Sequence, residues 1–259
     1  MKVVQRGAWG GMTIAATEGG AVARLDIGRV VSATLGTLAH RWLALLLLGL
    51  PFVVLPSLLV PLVAPEDAPY ARLLAGLPPM VFGGGATLIA YHDMRGDSPI
   101  DLGRAVGAGL RKFGSLWLVG FISGLATIVG LALLVVPGML ICAIFATSAS
   151  AVMIENLNSS RALQRAWDLS SGSRWRLAAL LAIAGVCVAL MVLLTGVLVA
   201  VVEIIANLAG LRIIRTEEVW APLMLLGYFA ITTVGSTAAY VELRRAREGG
   251  GDRLTGVFD

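Results

Sequence analysis

Three acidic residues lie where apolar runs of this chain end, and they are the first candidates for chemistry. Asp93, Glu155 and Glu242 each follow a long apolar run. A carboxylate accepts hydrogen bonds from arginine most strongly, and it can also hold a cation or a polar group. We favour ion pairs with nearby arginines, and a polar site for an ion or a lipid headgroup is the alternative. The candidate partners begin three basic segments: Arg29, Arg104 and Arg161.

Other reactive residue types do not form a recognisable catalytic pattern. His40 and His92 lie far apart, and neither has a partner at metal-ligand spacing, so we expect no metal site. Cys142 and Cys187 fall in apolar runs, where a free thiol behaves as a small apolar side chain. The sequence has no Walker lysine loop, HExxH or GxSxG motif. We therefore predict no catalytic residue and no cofactor.

Each of the three basic segments is followed by a tryptophan at nearly constant spacing. Trp42 and Trp117 come 13 residues after Arg29 and Arg104, and Trp175 comes 14 residues after Arg161. Such self-similarity indicates an internal repeat. The basic or aromatic residues of these segments are the predicted contacts with lipid headgroups at the membrane interface. They are Arg29, Arg41, Trp42, Arg104, Arg111, Lys112, Trp117, Arg161, Arg165 and Trp175.

Apolar residues in these segments recur with the period of a helix. The first two copies carry them at offsets 0, 3, 4, 8 and 11, which makes one stripe on an α-helix. They are Ile27, Val30, Val31, Leu35 and Leu38, then Leu102, Ala105, Val106, Leu110 and Phe113. Ser98-Pro99 predicts an N-cap followed by proline at the first helical position of the second copy. Short amphipathic helices with basic flanks are typical of a membrane interface. Anchoring alone, binding of anionic lipid and docking of a partner all remain open.

The elements that must position these residues are long apolar runs. Of the 259 residues, 58% are hydrophobic and only 14% are charged, which favours the bilayer as solvent. We predict an all-α, polytopic membrane helix bundle of six transmembrane helices, arranged as three repeats of an interfacial amphipathic helix plus a transmembrane hairpin. The predicted spans are 42–63, 77–91, 116–136, 139–154, 177–202 and 219–240, with a tight turn at Pro137-Gly138.

The predicted organisation places the bundle between two short terminal segments. Residues 1–25 are expected to be a flexible cytoplasmic segment, 26–245 the six-span domain and 246–259 a cytoplasmic tail. The three repeats cover about 26–95, 98–156 and 158–245.

The distribution of positive charge predicts orientation. Of the 20 Lys and Arg residues, 17 lie before the first span, after the last or in the loops on that same side, and three lie on the other side. The positive-inside rule then places both termini in the cytoplasm of a bacterial inner membrane. The net charge of +4 could fit nucleic acid, but charges clustered between apolar runs argue for membrane topology instead.

Several motifs together resemble a family of bacterial membrane proteins. They are Leu134-Val135-Val136-Pro137-Gly138, Ile154-Glu155, residues 161–169 (RALQRAWDL) and residues 240–245 (YVELRR). As a set, they are similar to the membrane domain of glycerophosphoryl diester phosphodiesterases and to YciC-like envelope proteins. The resemblance implies six helices. In the phosphodiesterases it also implies a separate soluble catalytic domain, which does not lie within these 259 residues, so we expect neither hydrolysis nor a catalytic residue here.

The sequence thus favours a non-enzymatic inner-membrane protein, a lipid-interacting scaffold or accessory factor in envelope homeostasis. Its expected partners are anionic phospholipids and, as an option, a second copy or another membrane protein. A transporter or permease-like subunit is the first alternative, based on possible helix breaks at Pro51, Pro56 and residues 83–85. The second is a lipid-headgroup enzyme that acts through Asp93, Glu155 or Glu242.

Overall fold

The computed structural model describes residues 25–63, 76–208 and 216–248, and this part of the chain is helical without β-strands. The predicted terminal segments therefore lie almost wholly outside the described residues. The helices are α1 (Ile27–Gly49), a π-helical segment (Leu50–Val54), α2 (Leu55–Val63), α3 (Pro78–Arg95), α4 (Leu102–Arg111), α5 (Phe113–Leu133), α6 (Val135–Phe145), α7 (Ser148–Ile154), α8 (Ser159–Ser170), α9 (Arg174–Leu208) and α10 (Thr216–Glu248).

The short amphipathic helices lead directly into long apolar ones. Asp26 caps α1 by accepting a hydrogen bond from the backbone N–H of Arg29, and α1 kinks at Arg41, whose φ and ψ are −113° and 17°. Pro51 lies in the first turn of the π-helical segment, where its missing N–H removes a regular helical hydrogen bond. The second amphipathic helix begins at Leu102 with Asp101 as its cap, so the predicted start at Pro99 was three residues too early.

The predicted turn at Pro137-Gly138 was wrong by about three residues. The chain reverses at Leu134, whose φ and ψ are −164° and 145°, and Pro137 lies in the first turn of α6. Proline is tolerated there because a first-turn N–H has no helical acceptor. Gly138 is needed for close packing instead, since a Cβ on it would lie 2.6 Å from the backbone nitrogen of Leu131.

Five of the described helical segments are long and apolar enough to cross a membrane: Ile27–Val60, Phe113–Leu133, Val136–Ile154, Arg174–Leu208 and Trp220–Glu248. The second predicted span, now α3, is not among them. It packs in the interior of the bundle, where Phe82, Ala86 and Ala90 are fully buried. Its glycines permit close packing on α4, because a Cβ on Gly84 would lie 3.0 Å from the Cα of Gly109.

Packing extends slightly beyond both ends of the predicted 26–245 domain. Leu25 is 1% exposed, and it belongs to the same apolar cluster as Val30 and Tyr240. The last helix continues through Glu248, whose carboxylate accepts a 2.7 Å hydrogen bond from Arg244 one turn earlier. Such i, i+4 pairs support a helix end, and the described helix continues three residues beyond the predicted boundary at 245.

The apolar stripes of α1 and α4 are divided between two environments. Val30 and Ala105 are buried against other helices, whereas Leu35 is 61% and Leu110 is 55% exposed. The buried side of α1 also carries Thr34, whose hydroxyl donates to the carbonyl oxygen of Val30. One edge of each stripe therefore packs on the bundle and the other edge remains open.

Candidate functional site

One end of the helical bundle gathers most of the charged residues that the structure describes, and we call it the charged face. Residues distant in sequence are tied together there. Arg176 donates to the backbone carbonyl of Leu25 at 2.9 Å, and Lys112 donates to that of Asn156 at 3.4 Å. The charged face also contains Asp93, Glu155 and Glu242, the three acids that end apolar runs.

Glu242 is paired with the first amphipathic helix. Its carboxylate lies 3.1 Å from the guanidinium of Arg29, and its side chain is only 7% exposed. Arg29 also contacts Asp26 at 3.2 Å. One arginine therefore bridges the N-cap of α1 and a nearly buried acid of α10.

Asp93 is paired with the kink of α1. The Nε of Arg41 donates to its Oδ1 at 2.6 Å, and Nδ1 of His40 lies 3.4 Å from the same oxygen. Asp93 is 10% exposed and Arg41 is 24% exposed, so this pair is largely shielded from solvent. The pair holds the kink in α1 against the end of α3.

Glu155 is the centre of a larger network between α7, α8 and α10. It accepts two hydrogen bonds from Arg165 Nε and Nη2 at 3.1 Å and one from the hydroxyl of the fully buried Tyr240. Glu248 contacts both Arg165 and Arg244. Burial lowers the pKa of Arg165, but its hydrogen bonds to Glu155 and Glu248 outweigh this and raise the pKa above its ordinary value.

The structure thus brings each of the three acids to an arginine, though not always to the residues that sequence reasoning favoured. Arg29 is paired as considered, whereas Arg104 and Arg161 form no ion pair within the described residues. Arg41 and Arg165, predicted as headgroup contacts, are the partners of Asp93 and Glu155. Sequence reasoning did not identify His40, Tyr240 and Glu248 as partners of these acids and arginines. Only the spacing of acidic and basic residues along α10 pointed to any of these contacts.

The remaining predicted interfacial residues are open to the surroundings. Arg104, Arg111 and Arg161 are exposed, and Lys112 is half-buried. Trp42, Trp117 and Trp175 are 59%, 41% and 69% exposed. Trp117 stacks on Phe121, with ring centroids 5.5 Å apart. Each tryptophan lies near the start of an apolar helix, at the end of the bundle that carries the charges.

A cleft of about 510 Å³ opens on the charged face between α1, the end of α3 and α10. Its lining combines charged groups with apolar side chains. The charged or titratable residues that line it are Arg29, His40, Asp93, Glu242 and Arg245. Among the described residues, no group of three or more His, Cys, Asp or Glu could hold a metal ion.

A second groove, of about 630 Å³, lies between α9 and α10. Its walls are mainly apolar, with Glu203 and Trp220 at one end and Val188 at the other. Helix α9 exposes large apolar side chains along most of its length, including Leu193, Leu194 and Leu208. This part of the molecule needs an apolar environment, and the charged face needs a polar one.

Comparison with protein-family models, curated proteins and solved structures finds no match to this chain. The described part of the chain is all-helical, and five of its helical segments are suited to crossing a membrane. The family resemblance drawn from the sequence motifs remains a prediction.

Proposed function

We propose that this chain is a non-enzymatic protein of the bacterial inner membrane, a lipid-interacting scaffold or accessory factor in envelope homeostasis. The observation that carries the proposal is the set of exposed cations and tryptophans on the charged face. Arg104, Arg111 and Arg161 have no ion-pair partner in the part of the chain that the structure describes. Phosphates of anionic lipids would supply such partners.

The neighbouring tryptophans support the same placement. An indole ring is favoured at headgroup depth because it combines an apolar body with one N–H donor. Trp42 and Trp175 are more than half exposed. With the charged face at the headgroups, these rings would lie just inside them, and the exposed edge of the amphipathic stripes would contact acyl chains.

Orientation and span number belong to the same proposal. We propose that α3 crosses the membrane as a sixth span shielded by its neighbours, because its buried small residues need less apolar character than a lipid-facing helix does. The three amphipathic segments and the helices that follow them then form three repeats. The excess of Lys and Arg on one side supports a topology with both termini in the cytoplasm.

The two alternatives have less support. Residues 83–85, taken as a possible break for a transporter, lie within the uninterrupted helix α3, where Gly84 and Gly85 pack closely on α4. Asp93, Glu155 and Glu242 are each engaged by an arginine, which leaves a headgroup enzyme without an obvious free acid or base. A mid-membrane path or turnover of lipid would revive these alternatives.

Lipid binding tests the proposal directly. The full chain with Arg104, Arg111 and Arg161 changed together to Gln is compared with wild type by native mass spectrometry in the presence of phosphatidylglycerol. Each basic residue near an anionic surface contributes about 1 kcal/mol, so we expect binding to weaken by about a hundredfold. The matched control changes the same three residues to Lys, which keeps the charge. No preference of the wild type for anionic lipid would contradict the proposal.

Orientation is tested separately by labelling. Ser160 is exposed on α8, so Ser160→Cys in a Cys142→Ala/Cys187→Ala background provides one reactive thiol on the charged face. We expect a membrane-impermeant maleimide to label it in inverted membrane vesicles and not in intact spheroplasts. The opposite labelling pattern would overturn the proposed topology.

A further inference from the structure

The cleft between α1, α3 and α10 has two nearly buried acids in its lining. The side chains of Asp93 and Glu242 are 10% and 7% exposed. They come from the ends of different helices, and both border the same open space of about 510 Å³. The packing of these helices therefore forms the cleft and keeps both carboxylates in its lining.

These carboxylates retain acceptor capacity. Oδ1 of Asp93 receives the contacts from both Arg41 and His40, and Oε1 of Glu242 lies closest to Arg29. No hydrogen bond to the other oxygen of either acid is found among the described residues. A carboxylate can accept about four hydrogen bonds, so both acids can take further donors. A ligand with several N–H groups would supply them.

The cleft also offers positive charge at its rim. Arg245 lies in the last turn of α10, is exposed and has no ion pair or hydrogen bond within the described part of the chain. Arg29, in contrast, is already shared between Asp26 and Glu242. Arg245 is thus the cleft arginine that remains available to a phosphate.

Apolar side chains complete the lining. Val30, Ala33, Met94 and Ala238 border the same space as the charged groups. An apolar wall beside separate acidic and basic groups suits a ligand that carries an ammonium, a phosphate and an apolar body. A purely anionic headgroup would leave the acidic oxygens without donors.

We propose that this cleft binds the headgroup of an aminophospholipid of the phosphatidylethanolamine class. Its primary ammonium would donate to Asp93 and Glu242, and its phosphodiester would accept from Arg245. This inference rests on the proposed function, because it requires the charged face to lie at headgroup depth. It concerns one selective site and is distinct from the anionic lipids that the exposed arginines attract.

Lipid chemistry provides the sharpest test. The full chain, purified in mild detergent, is titrated with phosphatidylethanolamine and with phosphatidylcholine of the same acyl chains, and bound lipid is counted by native mass spectrometry. The two headgroups carry the same charges, but the choline nitrogen has no N–H donor. Loss of charge-assisted hydrogen bonds predicts about tenfold weaker retention of phosphatidylcholine at one site. Equal retention of the two lipids would overturn the inference.

Variants assign the two ends of the headgroup. Asp93→Asn and Glu242→Gln should each remove the preference for phosphatidylethanolamine, whereas Arg245→Gln should weaken both lipids about equally because both carry the phosphate. Arg247→Gln is the matched control, since Arg247 is exposed, lies in the same last turn of α10 as Arg245 and is outside the cleft. If Glu242→Gln fails to fold, Asp93→Asn alone decides the ammonium contact. An effect of Arg247→Gln as large as that of Arg245→Gln would contradict the assignment.

Two further experiments are needed. One distinguishes a lipid from a free headgroup compound, and the other distinguishes failure of this inference from failure of the proposed function. Soluble phosphoethanolamine that displaces the bound lipid at equal concentration would show a site for the free compound and overturn a lipid ligand. The preference for phosphatidylglycerol that depends on Arg104, Arg111 and Arg161 tests the proposed function alone. That preference can persist when the cleft shows no selectivity, so the two failures are distinguishable.

Discussion

Arg29 and Glu242 join the first described helix to the last, with their charged groups 3.1 Å apart. Glu242 is 93% shielded by this packing, whereas Arg29 remains 65% exposed. The contact therefore ties α1 to α10 on the charged face and neutralises an acid that would otherwise be buried without a counter-ion.

Removal of Arg29 should destabilise the fold through the acid that it leaves behind. Loss of one partner of a shielded pair exposes the desolvation cost of the other. Because Arg29 is itself largely exposed, we expect Arg29→Ala to lower the free energy of unfolding by about 1–3 kcal/mol in mixed-micelle denaturation.

Glu242→Gln tests whether the loss of stability in Arg29→Ala comes from the unpaired carboxylate of Glu242. In the Arg29→Ala background it should recover part of the lost stability, which a double-mutant cycle measures as a coupling energy. Arg104→Ala is the control from the equivalent helix, and it should change stability by less than about 0.5 kcal/mol. Equal losses for Arg29→Ala and Arg104→Ala would exclude this role for the pair.

Tyr240→Phe should destabilise the network around Glu155. The hydroxyl of Tyr240 donates to Glu155, and the ring is fully buried. A hydrogen bond to a charged group contributes about 1.5–3 kcal/mol, and we expect a loss in that range by equilibrium unfolding. Tyr228→Phe is the matched control, since Tyr228 is 42% exposed and its hydroxyl has no described partner. A similar loss for both variants would refute the special role of Tyr240.

Gly109→Ala should disrupt the contact between α3 and α4. A Cβ at this position would lie 2.7 Å from the carbonyl oxygen of Val81, and a backbone atom cannot move aside cheaply. Overpacking of this kind costs about 1–3 kcal/mol, which should appear as a lower thermal midpoint in detergent. Gly107 lies on the same helix with nothing within 4 Å of its Cβ position. Gly107→Ala should therefore be neutral or stabilising, and the opposite order of the two variants would contradict the packing.

The N-cap of α1 should make stability depend on pH in the acid range. The hydrogen bond from the backbone N–H of Arg29 lowers the pKa of Asp26 below its ordinary value. Because the pKa of Asp26 is lower in the folded than in the unfolded state, its ionised carboxylate stabilises the fold. This stabilisation is fully present above the unfolded-state pKa of about 3.9 and is lost as the pH falls through the folded-state pKa. Asp26→Asn keeps an N-cap acceptor but should remove this pH dependence, as followed by thermal midpoints between pH 3 and 7. An unchanged pH profile would show that the cap charge is irrelevant.

Much of the helical architecture was predictable because its causes are local. The stripe that includes Val30 and Leu35 has the period of a helix, and Asp26 is a good N-cap. Boundaries were less certain: Pro137 can occupy a turn or the first turn of a helix, and only the packing of Gly130 on Gly138 favours the second. The central place of α3 was not predictable, since its apolar content is modest and its burial depends on close approach to α4.

The candidate site also divides into features that the sequence made predictable and features that it did not. The sequence by itself determined an apolar, helical chain with acids and arginines at the ends of its hydrophobic runs, because hydropathy and helical period act over a few turns. The tertiary structure alone decided that Arg41 pairs with Asp93, that Arg165 and Tyr240 meet at Glu155, and that Arg245 lies beside Glu242 with no partner among the described residues. Ion pairs and clefts depend on distances between helices that are remote in sequence, and those distances follow from how the helices pack.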